Sequence, residues 1–463
     1  MSSHNLAADL RPLVDGDLFT AENDLAVYSE DFGRLIYRKP AIVVQPSTSR
    51  SVSKIMEYAN RHSIPVSTRG EAHSQTGQSL VEEGIAISTR GLNQIGQLDH
   101  PRSMVPCQSG VVWGDLVRHL DTQGLVPRVL TNNLGVTVGG TLSVAGIGIC
   151  SFRHGVQGDN VLSLEVVTPT GEIMRCSESE NASLFNLVRS GLGQFGIITE
   201  AEVLFRERLP RNRTYMLLYD NLEAVLNDSK KIMQEGRLDY IESWCVPLPV
   251  GFKEEDGRKR AFGEWFFPLH ITREFSPDQP PKEAEDLAGL SPYRTSHVED
   301  RSALDFAFRL EPLFELWKRS PYWGNTHPWM EVILPWEASS FYVKTVLEKI
   351  PPPMLGGGHI LLWPSSGRTS KVPLFKRPPG EFVLGFGILP GIPKDYVQPV
   401  LEALDKASAA SMMFGGKRYL SGWVRFSRDQ WKQHWGEDWN RLCDAKKQLD
   451  PNRILNPSFI DFE

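Results

Sequence analysis

The chain has 463 residues, of which 41% are hydrophobic and 23% charged, a composition typical of a soluble globular protein rather than a disordered or membrane chain. This length predicts two large lobes, because single hydrophobic cores stop growing at about 250 to 300 residues. The formal charge of -6 and the scattered basic residues argue against nucleic acid as a partner.

Targeting and metal-binding signals are weak in this sequence. The N-terminal stretch has neither a charged segment followed by an apolar one nor an apolar run long enough to span a bilayer. We therefore expect a cytoplasmic location and no membrane partner. The five cysteines form no CxxC pair, and the histidines do not cluster with them at zinc-site spacing, so reduced cysteines and no metal site are expected.

Residues 41–70 predict the beginning of an α/β domain. A β-branched run, AIVVQP, is followed by SVSKIMEYANRHS, with apolar residues at helical spacing, and then by IPVSTRG. The predicted order is strand, helix, strand, with Ser47 or Ser49 as the cap of the helix. Gly70 stands where the second strand must turn sharply.

A glycine-rich stretch over 135–148 predicts a loop that holds a ligand. Few side chains project there, so the backbone can approach a ligand closely and its N–H groups can bind phosphate without a cation. The alternative is that these glycines only make tight turns. Further on, NVLSLEVVTPTGEIMRC predicts a β-hairpin, and NASLFNLVRSGLGQFGIITEAEVLF predicts a helix, a glycine turn and a long strand.

The pattern changes between about residue 211 and residue 415, where aromatic residues and prolines become more frequent. Apparent strands such as RTYMLLYD, WMEVILPW and HILLWP alternate with helical stretches such as ASSFYVKTVLEKI. This predicts a second α/β unit with an antiparallel sheet. The segment from Ser427, rich in Trp and charge, predicts a helix that stops at Asp450, before Pro451.

Along roughly residues 35–463 the chain resembles the cytokinin oxidase/dehydrogenase family. The resemblance rests on motifs in the family's order: RGEAHSQTGQ, GGTLSVAG, FRHG, NVLSLEVVTPTGE, GLGQFGIIT, DYIES, THPWMEVILP, KRYLSGW and WNRLCDAKKQLDPNRILNP. The wider class is the vanillyl-alcohol-oxidase-like flavoproteins. The resemblance implies an α+β fold with a two-subdomain PCMH-type FAD-binding domain over 1–210 (core about 36–208), a substrate domain with an antiparallel sheet over 211–415, and a segment over 416–463 that returns to the FAD-binding domain.

The same resemblance implies that FAD is the cofactor and that His73 is bonded to its 8α-methyl group. The family has Gly-His-Ser here, and this chain has Ala72, His73 and Ser74. Attaching an imidazole to the ring raises the flavin's potential and prevents loss of the cofactor. The alternative is that His73 is a loop residue that caps a turn. The residues implied to surround the cofactor are His73, Thr68, Gly70, Glu71, Ala72, Ser74, Gln78, Asn132, Thr137, Ser143, Ile147, Ile198 and Tyr419.

Catalysis is where the sequence departs from the family. Asn132 stands where the family has an Asp that takes a proton from the substrate amine, and an amide cannot be a general base near neutral pH. Asn132 therefore positions a substrate that needs no base, or another side chain has taken over the proton transfer. We expect Glu264 to be that catalytic, substrate-contacting residue, the alternative being an ordinary surface glutamate. Trp329 is expected to form a wall of the substrate pocket, or else to be a plain core residue.

The expected function is that of an FAD-linked oxidase or dehydrogenase acting on a small molecule. It would transfer a hydride from a carbon next to nitrogen or oxygen to flavin N5 and pass the electrons to molecular oxygen or another acceptor. Two alternatives remain: an oxidase of an unrelated alcohol or biosynthetic intermediate, resembling berberine-bridge enzymes, and a catalytically silent flavin- or ligand-binding protein.

Overall fold

A computed structural model describes residues 3–255 and 257–462, and these residues form three β-sheets. The first sheet has four strands in the order β1-β2-β4-β3, in which β2, β4 and β3 run parallel and β1 is antiparallel to β2. Its elements are β1 (Asp17–Phe19), β2 (Ile42–Gln45), β3 (Val66–Arg69) and β4 (Ile85–Ser88), with helices α1 (Ser3–Leu10), α2 (Glu22–Val27) and α3 (Ser49–His62).

The predicted strand, helix and strand over 41–70 are therefore confirmed as β2, α3 and β3. β2 is apolar throughout its buried part because parallel strands are covered on both faces. The predicted cap was wrong by one residue: Thr48 caps α3, and its side chain accepts a hydrogen bond from the Ser51 N–H at 3.2 Å. Ser47 instead donates its backbone N–H to Asp15 Oδ1.

The second sheet is antiparallel and has five strands, in the order β5-β9-β7-β8 with β6 paired to β9. The predicted hairpin is confirmed as β7–β8, and the predicted helix, turn and long strand are confirmed as α7 and β9. The elements are β5 (Met104–Gln108), α4 (Trp113–Asp121), β6 (Leu125–Pro127), α5 (Val138–Leu142), α6 (Ser151–His154), β7 (Val161–Val167), β8 (Ile173–Ser177), α7 (Ala182–Val188) and β9 (Ile197–Glu207).

The third sheet is also antiparallel and has eight strands in the order β13-β10-β12-β11-β15-β16-β14-β17. It contains the strands predicted in the second unit and packs against helices α8, α12 and α13 in a core of its own. Its elements are β10 (Arg211–Tyr219), α8 (Leu222–Glu235), β11 (Tyr240–Glu255), β12 (Arg258–Phe275), α9 (Glu283–Asp286), β13 (Arg294–Ser302), α10 (Ala303–Ala307), α11 (Glu311–Arg319), β14 (Met330–Pro335), α12 (Trp336–Lys349), β15 (His359–Ser366), β16 (Phe382–Leu389), α13 (Val397–Met413) and β17 (Lys417–Arg418).

The C-terminal segment packs against the first two sheets. The single helix predicted there is two helices, α14 (Arg428–Trp435) and α15 (Asp438–Leu449), because the chain breaks at Gly436 with φ +58°. Tryptophans of both helices lie in the core of the second sheet. Beyond them the chain runs beside β3: the Val66 N–H donates to the Ile454 carbonyl and the Asn456 N–H donates to the Val66 carbonyl, at 2.7 and 2.8 Å.

The predicted α+β class with an antiparallel sheet in the second unit is confirmed. The division of the chain at residues 210 and 415 stays a prediction. The five cysteines are free thiols, as expected. No helix among residues 3–255 and 257–462 combines the length and the apolar character needed to cross a lipid bilayer.

Candidate active site

A cavity of about 330 Å³ is lined by residues of all three sheets. One wall is formed by the loop after β3, the glycine-rich segment and the start of β9, and the facing wall by the third sheet and α11. The structure brings the residues expected to surround the cofactor together in this lining: Thr68, Gly70, Glu71, Ala72, His73, Ser74, Gln78, Asn132, Thr137, Ser143, Ile147, Ile198 and Tyr419.

The glycines of this wall allow two backbone segments to lie close together. A Cβ atom on Gly70 would lie 2.2 Å from Thr137 Oγ1, and one on Gly139 would lie 2.7 Å from Ser109 Cβ. Larger residues at these positions would force the segments apart and change the shape of the cavity. At these two glycines the wall consists of backbone without a side chain.

His73 is held in this wall by aromatic neighbours. Its ring stacks on Phe32 with 4.2 Å between centroids and lies 5.4 Å from the ring of Trp329. His73 Nε2 is buried and has no hydrogen-bond partner among the described residues. Burial lowers the pKa of His73 to about 4, so the imidazole is neutral at pH 7 and one nitrogen keeps a free lone pair. A neutral nitrogen of this kind is what a bond to a carbon atom requires.

The residue before His73 has an unfavourable backbone conformation. Ala72 has φ +51°, in the left-handed region that costs a residue with a Cβ atom about 1 kcal/mol relative to Gly.

We expect Ala72→Gly to raise the free energy of unfolding by about 1 kcal/mol, seen as a higher Tm in thermal unfolding. Ala59→Gly, inside α3, is the matched control and should lower Tm. An unchanged or lower Tm for Ala72→Gly would contradict this strain.

Asn132 lines the cavity as part of a buried charged network. Arg309 Nη2 donates to Asn132 Oδ1 at 2.8 Å, and the Arg309 guanidinium also donates to both carboxylate oxygens of Glu242, at 2.8 and 2.6 Å. The side chains of Arg309 and Glu242 are each 7% exposed. Because Arg309 occupies the amide oxygen, the NH₂ group of Asn132 remains to donate to a ligand.

Glu264, expected to be catalytic and to contact substrate, lies outside the cavity. It is exposed on β12, opposite Leu248 of β11. β15 pairs with β11 only at Ser243–Cys245, while the β11–β12 hairpin continues well past this pairing. Glu264 therefore stands on a part of the hairpin that extends beyond the cavity, and the sequence expectation for this residue is corrected.

The wall facing His73 is aromatic. Trp329 lines the cavity beside His73, as expected of a pocket wall, and its backbone N–H donates to Gln75 Oε1 at 3.0 Å. The aromatic side chains that the sequence did not predict here are Trp244, Phe314, Trp317, His359 and Trp363. His359 stacks on Trp317 with 5.0 Å between centroids. Burial lowers the pKa of His359 to about 4, so this wall carries no histidine charge at pH 7.

Further polar residues that were not predicted also line the cavity. Glu331, on β14, is buried beside Tyr419 and Ser421, and Asn456 enters from the C-terminal segment. Asn456 Oδ1 and Ser109 Oγ are buried without a hydrogen-bond partner among the described residues. Unpartnered polar atoms in a cavity wall are expected where a ligand supplies the partners. Together with the backbone wall and His73 Nε2, they fit FAD.

Comparisons with known proteins agree with this arrangement. A family model for an FAD binding domain matches residues 40–177, and one described as "Cytokinin dehydrogenase 1, FAD and cytokinin binding" matches residues 287–460. Cytokinin dehydrogenase 9 of Oryza sativa subsp. japonica is 30% identical, covering 94% of this chain and 88% of the relative. An uncharacterized oxidoreductase of the fasciation locus of Rhodococcoides fascians is 29% identical, covering 96% and 99%.

The crystal structure of 6-hydroxy-D-nicotine oxidase from Arthrobacter nicotinovorans has the same fold, with a TM-score of 0.74 over 98% of this chain and 99% of that one, at 20% identity. The fold and the cavity thus define an FAD-dependent oxidoreductase with a PCMH-type FAD-binding domain and a second domain built on an antiparallel sheet. Within that class, the chain belongs to the cytokinin dehydrogenase family.

Proposed function

We propose that this protein oxidises a small organic molecule at a carbon next to nitrogen or oxygen, with FAD bonded covalently to His73. The observation that carries the proposal is the unpartnered, buried Nε2 of His73 in the wall of a cavity whose facing wall is aromatic. When bound, FAD accepts a hydride at N5 and passes its electrons to molecular oxygen or another acceptor.

The contacts around His73 favour a covalently attached cofactor. Stacking on Phe32 and packing against Trp329 leave the imidazole little freedom to rotate. A nucleophile held in one orientation reacts more readily than one that must be ordered first. Gly70 and Gly139 line the cavity without side chains, so the phosphates of FAD can approach the backbone closely at these positions.

The facing wall supports a flat, largely apolar substrate. Trp244, Trp317 and Trp363 offer ring faces for stacking, and the NH₂ group of Asn132 is free to donate one hydrogen bond. We propose a cytokinin-like amine as the first substrate class, because the relatives named cytokinin dehydrogenases extend along almost the whole chain. An alcohol is the second class, since Asn132 cannot take the proton that the family's Asp takes from an amine.

The proposed function is tested by reducing the purified yellow protein without oxygen. The donors are a cytokinin, N-methylbenzylamine and benzyl alcohol, with loss of flavin absorbance as the measurement. We expect at least one donor to bleach the flavin and the colour to return on admitting air or an artificial acceptor. A flavin that dithionite reduces but none of these donors does would favour a silent, flavin-holding protein instead.

A further inference from the structure

Glu331 is a buried carboxyl group in the wall of the cavity. It lies on β14, two residues after Trp329, and both side chains line the cavity, as expected for alternate residues of an extended chain. Only 6% of Glu331 is exposed. A buried carboxyl group is normally paired with a cation or with several hydrogen-bond donors, so its partners decide what it can do.

The partners of Glu331 leave it without a direct counter-ion. Ser421 Oγ donates to Glu331 Oε2, and the carboxylate makes no ion pair within the described residues. Arg418 is near, but its guanidinium donates to the Glu331 backbone carbonyl, to Ser408 Oγ and to the Trp423 carbonyl. The positive charge of Arg418 therefore acts on the carboxylate only from a distance.

We propose that Glu331 is the catalytic base of this enzyme, accepting the N–H or O–H proton of the substrate. This role rests on the proposed function. Bound FAD would supply the acceptor for the hydrogen of the substrate C–H bond and its electron pair, taken as hydride. In the same step the substrate N–H or O–H bond breaks and its proton goes to a Glu331 carboxylate oxygen. The electron pair left on nitrogen or oxygen forms the C=N or C=O bond of the product, so charge and electrons balance.

In this proposal Asn132 orients the substrate and Glu331 accepts its proton, whereas in the family one Asp takes the proton. Asn132, fixed by Arg309, donates a hydrogen bond and orients the substrate. Glu331 has the free carboxylate lone pairs that Asn132 lacks. Trp329, beside Glu331 and 5.4 Å from the ring of His73, keeps the proton acceptor near the flavin attachment point.

The environment of Glu331 is suited to this chemistry. Burial raises the pKa of Glu331 to about 7, against the opposing effects of the Ser421 hydrogen bond and the Arg418 charge. Tyr419 is the other titratable neighbour, and burial raises the pKa of its hydroxyl so that it stays neutral. The carboxylate form is present above the raised pKa, so the rate of flavin reduction should increase with pH through about 7.

The test compares wild type, Glu331→Gln and Glu331→Asp in anaerobic stopped-flow reduction by the three donors named above. We expect Glu331→Gln to slow flavin reduction by about 10²- to 10⁴-fold and to change the donor Kd little. The increase of the reduction rate with pH should be absent from this variant. Glu331→Asp should recover part of the rate. Glu264→Gln, an exposed carboxyl outside the cavity, is the matched control and should keep the wild-type rate.

A second readout does not depend on turnover. Infrared difference spectra between pH 5 and pH 9 should contain the signal of a carboxylic acid titrating near the raised pKa of Glu331 in wild type and in Glu264→Gln. Glu331→Gln should lose this signal and keep the one from Asp31, whose pKa burial raises to about 6. Equal rates and equal pH profiles for wild type and Glu331→Gln would overturn the role of Glu331 while leaving the proposed function intact. A wild-type flavin that none of the donors reduces would overturn both.

Discussion

Replacing His73 with Ala is expected to leave FAD removable by acid, whereas in the wild-type protein acid should leave the flavin attached. The reason is that the bond is proposed at His73, whose Nε2 is buried in the cavity wall without a hydrogen-bond partner among the described residues. The variant should still bind FAD, since the rest of the wall is unchanged. Loss of the electron-withdrawing imidazole should lower the flavin potential and slow reduction by substrate. Acid precipitation followed by absorbance of pellet and supernatant measures the first effect.

The chain offers a matched control for this variant. His327 is also buried and also stacks on Phe32, with 4.2 Å between centroids, but it is not part of the cavity wall. His327→Ala removes the same number of atoms from the same aromatic cluster and should keep yellow colour in the acid pellet. Colour lost from both pellets would point to disruption of the cluster around Phe32 rather than to a bond at His73.

Replacing Arg309 with Met is expected to lower the free energy of unfolding by about 3 to 5 kcal/mol. The change leaves the Glu242 carboxylate buried, at 7% exposure, without the guanidinium that donates to both of its oxygens. It also frees Asn132, whose amide oxygen Arg309 holds at 2.8 Å, so the donor Kd should rise as well. Chemical unfolding and a spectral titration with donor measure the two effects.

Two further variants test whether the lost stability comes from the unpaired, buried carboxylate of Glu242. Arg309→Met combined with Glu242→Gln removes both charges and should regain much of the lost stability, because no unpaired ion remains buried. Lys344→Met breaks the exposed ion pair with Glu223, whose side chains are 49% and 52% exposed, and should change stability little. If Arg309→Met unfolds as easily as wild type, the Arg309–Glu242 pair is not a structural element of the site.

The parts of the fold that follow from local pattern were predictable from the sequence. An apolar run predicted β2, apolar residues at helical spacing predicted α3, and a second run ending at a glycine predicted β3. The cofactor side of the cavity was predictable for a related reason, because its residues lie in contiguous motifs such as Thr68–Gln78. A single family motif therefore predicted many residues of the cofactor side at once.

The substrate side could not be read in the same way. Asn132, Glu242 and Arg309 are far apart in sequence, and only the folded chain brings them within hydrogen-bond distance. Glu331 and the aromatic wall likewise come from separate strands and from α11. The wrong expectation for Glu264 has the same origin, since the length of the β11–β12 hairpin decides which of its residues reach the cavity.

The mass of the purified, denatured protein tests the covalent flavin at His73 most directly. We expect the mass of the chain plus one FAD less two hydrogen atoms, with the added mass on the tryptic peptide 70–90, which contains His73. The same peptide should be unmodified in His73→Ala. The mass of the bare chain, or a modified peptide that lacks His73, would contradict the assignment.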